Sequence, residues 1–162
     1  VIHATVSERF QRSSSTAIQE NGLPVAGPDG LRPQFVVWGD SHAAAISELV
    51  NEMAHEFKLS GFIASRNATI PFLKVGSGGR SDQQQWNEAV YKVIQDHDIK
   101  NVILVARWSG YINRQIGRLQ RYSIDEFDAA LSLTLKKFEA DGINVWILPQ
   151  VQNRNSILAA QS

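Results

Sequence analysis

The sequence predicts an α/β protein of three layers, with helices on both faces of a parallel sheet. From Phe35 onward, strands alternate with helices long enough to serve as crossovers, the order that builds parallel β-α-β units. The strand runs Phe35-Val36-Val37-Trp38, Val102-Ile103-Leu104-Val105 and Val145-Trp146-Ile147-Leu148 are almost continuously apolar, as strands buried on both faces are.

In chain order, a strand over 35–38 leads to a helix over about 42–57, a strand over 61–65, a long loop and a helix over about 83–97. A strand over 101–106, a loop, a helix over about 124–140 and a strand over 143–148 complete the pattern. Three-to-four spacing puts Ile46, Leu49, Val50, Met53 and Phe57 on one face of the first helix, and Ile124, Phe127, Leu131, Leu135 and Phe138 on one face of the third. Trp86, Val90, Val93 and Ile94 do the same in the second, and all three stripes are expected in the core. Gly142 suits the position just past the third helix. Residues 1–34, rich in Ser, Gly, Pro and Gln, show no sustained period and are read as a linker or a wrapping arm, with the folded domain at 35–162.

Composition narrows the function classes. The 162 residues, 43% hydrophobic and 20% charged, fit one ordinary globular domain. Sixteen basic and sixteen acidic side chains cancel, so no overall field favours nucleic acid, and none is expected as a partner. The absence of cysteine excludes disulfides, thiolate metal sites and a thiol nucleophile. No apolar run approaches the roughly 18–20 residues of a membrane span, and no signal peptide opens the chain. It begins at Val1 rather than methionine, so a piece of a longer polypeptide is expected.

In an open parallel sheet, ligands bind beyond the carboxyl ends of the strands. That edge gathers Gly39, Asp40, Ser41 and His42 after the first strand and Arg66-Asn67-Ala68-Thr69-Ile70-Pro71 after the second. Arg107-Trp108-Ser109-Gly110-Tyr111 follow the third, and Pro149-Gln150 the fourth. A serine at a sharp strand-to-helix turn exposes its hydroxyl where helix N–H groups converge, which is how several α/β enzymes hold a nucleophile. The same Asp40-Ser41 pair also reads as a helix N-cap. His55 and His97 close helices that feed the next strand, which puts them at the opposite edge. Glu52, His55 and Glu56 read as a wet helix face, and Gly76-Ser77-Gly78-Gly79 lacks the lysine-serine ending of a phosphate loop, so neither a metal nor a cofactor is expected.

The segment Val36-Val37-Trp38-Gly39-Asp40-Ser41-His42-Ala43, with Ile70-Pro71-Phe72 and Ala106-Arg107-Trp108-Ser109-Gly110-Tyr111 further on, resembles the SGNH (GDSL-like) hydrolase superfamily. The likeness is to its branch associated with family-three membrane acyltransferases, which O-acetylate bacterial surface polysaccharides, and it spans roughly 35–150. It implies a flavodoxin-like sheet and serine-dependent O-acyltransferase or esterase activity on acyl groups of cell-surface carbohydrate. Carbohydrate and an acyl donor would be the partners, with a membrane acyltransferase domain in the same longer chain and an extracytoplasmic location. Ser41 would be the nucleophile and its backbone N–H an oxyanion donor, while Gly39 and Asp40 shape the turn. Asn67 or the indole of Trp108 would stand in for the family's oxyanion asparagine. His42, Arg107, Ser109 and Tyr111 would contact substrate.

One departure stands out. The family places an Asp, and a His three residues later, after the last strand as orienter and general base, yet no Asp or His follows Asp141 here. A final segment beyond residue 162 is expected to carry that pair. The alternative is a noncatalytic glycan-binding or interaction module on the same fold, with Trp108 and Tyr111 as stacking rings.

Overall fold

The structure, a computed structural model, describes residues 8–74, 81–112 and 122–149. A 3-10 turn at Glu8–Phe10 opens it, followed by α1 (Ser15–Asn21), β1 (Val25–Ala26), β2 (Phe35–Gly39), α2 (Ser41–Glu56) and β3 (Gly61–Ser65). Then come α3 (Ser81–Asp96), β4 (Asn101–Val105), α4 (Trp108–Ile112), α5 (Ile124–Ala140) and β5 (Asn144–Leu148). The expected strands and long helices stand within two residues of their anticipated limits. The loop expected after β4 begins instead as the short helix α4.

The sheet runs β1-β3-β2-β4-β5, parallel throughout except for β1, which pairs antiparallel with β3. Alternate residues of each strand face opposite layers. Val37, Ile63 and Val105 meet Ala43, Ile46 and Val50 of α2 on one face. Val36, Trp38, Val102 and Leu104 meet Trp86, Val90 and Ile94 of α3 and Phe138 of α5 on the other. Three layers result.

The last long helix has a local reason both to start and to stop where it does. Ser123 accepts from the Glu126 N–H while Glu126 accepts from the Ser123 N–H, a reciprocal capping box at the head of α5. Gly142, at φ +68°, takes the left-handed position past its end, as its place in the sequence predicted.

Elements also form where no period announces them. Ser14 caps α1 by accepting from the Ala17 N–H, and Phe10, Ile18, Leu23 and Ala26 are buried against β3, α2 and α3. The Trp86 indole N–H donates to the Arg12 carbonyl at 2.9 Å, tying this N-terminal segment to α3. Trp86→Phe is expected to cost about 1–2 kcal/mol, since a buried carbonyl loses its donor and the smaller ring packs less well. Urea unfolding measures it.

Three core assignments need correction. Leu49, Met53 and Phe57 were expected in the core, yet they are 57%, 48% and 62% exposed. The small residues Ala43, Ala44, Ser47 and Ala54 let α2 sit close over β2 and β3, and Val50, Met53 and Phe57 reach toward β4 and β5. There, with Trp146 and Leu148, they border an open groove of about 510 Å³. β5 is likewise exposed along much of its length, not covered on both faces, because no described helix lies over it on the α2 side. Ile124, also expected inside, is exposed in the first turn of α5.

Candidate active site at the carboxyl edge of the sheet

The site is built where β2, β3 and β4 end. β2 closes with Gly39, Asp40 is the N-cap of α2, and Ser41 is that helix's first residue and is exposed. The turn is fastened to both neighbouring strands. Arg66 N–H donates to the Gly39 carbonyl from the end of β3, and Asp40 N–H donates to the Val105 carbonyl of β4.

Asp40 is the hub. Only 2% exposed, its carboxylate accepts the His42 N–H on Oδ1 at 2.8 Å, with His42 Nδ1 at 3.1 Å from the same oxygen. On Oδ2 it accepts the Arg107 N–H at 2.9 Å and the Tyr111 hydroxyl at 3.0 Å. A carboxylate withdrawn from water survives only when so provided with donors. Asp40 caps α2, and its contacts reach beyond a simple cap to the segment after β4.

This arrangement leaves Ser41 chemically open. Among the described residues its hydroxyl has no hydrogen-bond partner and its N–H no acceptor. That N–H lies at the head of a 16-residue helix, whose aligned peptide dipoles favour negative charge at this end.

The other expected site residues divide. His42 is partly exposed beside Ser41, and Asn67 is exposed in the turn after β3. Arg107 is half-buried with its main chain on Asp40, and Ser109 is exposed on α4. Trp108 is a correction, because its indole N–H donates to the Leu148 carbonyl at 2.8 Å and is not free to meet an oxyanion. That bond ties the end of β4 to that of β5, and the ring stacks on Phe72 from the loop after β3 and meets Phe127 of α5 edge-on. Tyr111 is a second correction. It is fully buried among Ile70, Phe72, Tyr122 and Phe127, with its hydroxyl on Asp40 and no face open to the cleft.

Sequence reasoning gave Arg66 no role. Its guanidinium bridges Asp82 in the first turn of α3 at 2.6 Å and the Ser13 carbonyl at 2.9 Å, joining the N-terminal segment to the site's edge. Its position directly after a strand was the available signal. His55 and His97 close α2 and α3 at the amino edge, away from Ser41, as expected. Gly76-Ser77-Gly78-Gly79 and the segment 150–162 lie outside the described residues.

Burial, and secondarily the Asp40 carboxylate, push the Tyr111 hydroxyl well above the usual tyrosine range, so it donates at every working pH. Above about pH 10 the unfolded chain releases this proton while the folded one keeps it. The unfolded state then binds fewer protons, and stability falls by up to about 1.4 kcal/mol per pH unit from this group. Tyr111→Phe is expected to lose stability less steeply over that range, as urea unfolding on either side of pH 10 will measure.

Fold and site together define a domain with an exposed serine at a strand-to-helix turn of a parallel α/β sheet. The family model described as the SGNH domain (fused to AT3 domains) matches residues 9–162, and the chain belongs to that family. The match begins within the N-terminal segment, well before Phe35. A solved structure with the same fold is the periplasmic domain of a lipopolysaccharide acetyltransferase from Salmonella ser. Paratyphi A, with a TM-score of 0.57 and 19% identity. The alignment covers 86% of this chain and 51% of that one, so the chain spans about half the neighbour's length. No curated protein sequence matches it.

Proposed function

We propose that this domain is a serine-dependent O-acyltransferase or esterase acting on acyl groups of cell-surface carbohydrate through an acyl-Ser41 intermediate. The carrying observation is the exposed Ser41 at the head of α2, with its own N–H unengaged and its turn fixed by Asp40. Ser41 Oγ attacks the acyl carbonyl, a base takes the hydroxyl proton, and the Ser41 N–H receives the developing oxyanion. The alkoxide leaving group departs with a proton, and a sugar hydroxyl or water then takes the acyl group from Ser41. Asn67 stands at the same edge as a second oxyanion donor, and His42, Arg107 and Ser109 are placed to meet substrate.

The reading requires a general base, and because the family's domain is fused to AT3 domains, the full-length protein is the form to assay. Fusion of the family's domain to AT3 domains supports a membrane acyltransferase partner in the same polypeptide. The periplasmic neighbour supports an extracytoplasmic site of action. Among the described residues no helix is long and apolar enough to cross a membrane. The glycan-binding alternative draws on the missing general base and on Trp108 and Tyr111 as stacking rings, and the burial of Tyr111 removes one of those rings.

A fluorophosphonate probe applied to the full-length protein, followed by mass spectrometry of the peptide containing Ser41, tests the reading. An adduct on Ser41 is expected. No adduct, or one only on another serine, would sink it.

A further inference from the structure

The Asp40 carboxylate has two different ends. Oδ1 faces α2 and is served by groups of that helix, the His42 N–H at 2.8 Å and His42 Nδ1 at 3.1 Å. Oδ2 faces the segment after β4 and is served by the Arg107 N–H at 2.9 Å and the Tyr111 hydroxyl at 3.0 Å. Ser41 sits between the two residues whose geometry this carboxylate sets, Asp40 itself and His42. A swing of the carboxylate breaks its bond to the His42 N–H, which belongs to the peptide directly after the proposed nucleophile.

Tyr111 is built as an anchor. Its ring is fully buried in a cluster that includes Ile70 and Phe72 from the loop after β3 and Phe127 and Ala130 from α5. Its carbonyl accepts the Tyr122 N–H at 2.8 Å, fixing the backbone as well. The hydroxyl keeps its proton under the burial that holds it, so it offers Asp40 one unvarying donor. The Arg107 N–H lies in the turn just before α4, whereas the Tyr111 hydroxyl comes from α4 itself and is held by packing against the loop after β3 and against α5.

We propose that Tyr111 is a positioning residue for Ser41, its buried hydroxyl locking the Asp40 carboxylate so that the first turn of α2 presents Ser41 in one reactive geometry. The inference rests on Ser41 being the nucleophile. A displacement of about 1 Å at a reacting group is enough to cost one to two orders of magnitude in rate, so a donor acting through the neighbouring residue can matter.

Tyr111→Phe in the full-length protein removes the hydroxyl and keeps the ring. The rate of fluorophosphonate labelling at Ser41 is expected to fall about tenfold, and ester turnover to lose kcat by a similar factor with KM within about twofold. Hydrogen–deuterium exchange at the head of α2 should rise about fivefold or more, while α3 exchanges as before. Ile94→Val, a destabilising change in the α3 layer, is the control. It is expected to lower the melting temperature and leave the labelling rate unchanged, separating position from global stability. Labelling of Tyr111→Phe within about twofold of the unsubstituted rate, or unchanged exchange at the head of α2, would overturn the proposal. An unsubstituted protein that fails to label overturns the nucleophile reading instead, and exchange at α2 still decides whether Tyr111 holds the turn.

Discussion

Ser41→Ala in the full-length protein is expected to lower acyl turnover by about a thousandfold or more, with stability changed by no more than about 0.5 kcal/mol. The asymmetry follows from where the residue sits. Ser41 is exposed, is the first residue of α2 and not its cap, and its hydroxyl bonds nothing among the described residues, so its loss leaves no buried group unpaired. The capping contribution belongs to Asp40, whose carboxylate takes the His42 N–H. Turnover and urea unfolding measured on one preparation check both halves. Turnover that survives the substitution would remove Ser41 from the chemistry. A stability loss of several kcal/mol would show that the hydroxyl supports the fold, contrary to its exposure.

How much of this was legible in the sequence depended on whether the determining contact was local. The central strands and crossover helices were, because apolar runs and three-to-four periods are properties of short windows. The turn was too, since Gly39, Asp40 and Ser41 bracket the junction of a strand and a helix. What failed was long-range. Tyr111 looks like a surface aromatic beside a polar segment, and only the fold brings its hydroxyl to a carboxylate 71 positions away. Trp108 offered an indole N–H for catalysis until β5 brought the Leu148 carbonyl to it, 40 positions on.

The helix stripe of α2 misled for a related reason. Ile46, Leu49, Val50, Met53 and Phe57 share a face by period, but which part of that face meets the sheet is set by the small residues Ala43, Ala44, Ser47 and Ala54. Ile46 and Val50 pack against the core, while Leu49, Met53 and Phe57 reach past it. Period locates a stripe, and side-chain volume decides how much of it is covered.

A close approach of another kind, between β2 and β4, makes Gly39→Ala a substitution expected to damage the fold severely. A Cβ at this position would stand 1.6 Å from the Val105 carbonyl oxygen and 2.7 Å from its carbon, with Ala43 Cβ at 3.1 Å. The obstruction is backbone of the neighbouring central strand, so no rotamer change relieves it. β2 and β4 must part at their carboxyl ends, where Asp40 N–H meets the Val105 carbonyl and the Arg107 N–H meets Asp40. Opening that junction strains the pairing and the Asp40 hub together, and a loss of at least about 3 kcal/mol is expected, at the upper end of overpacking effects. Gly30→Ala separates space from conformation, because Gly30 has φ +80° but nothing within 4 Å of a Cβ. It should cost only the left-handed backbone penalty, about 1–2 kcal/mol. Urea unfolding of the two variants side by side decides the matter. Equal losses would mean that β2 and β4 can separate freely at Gly39, and that the turn holding Ser41 is less tightly fixed than the Asp40 contacts require.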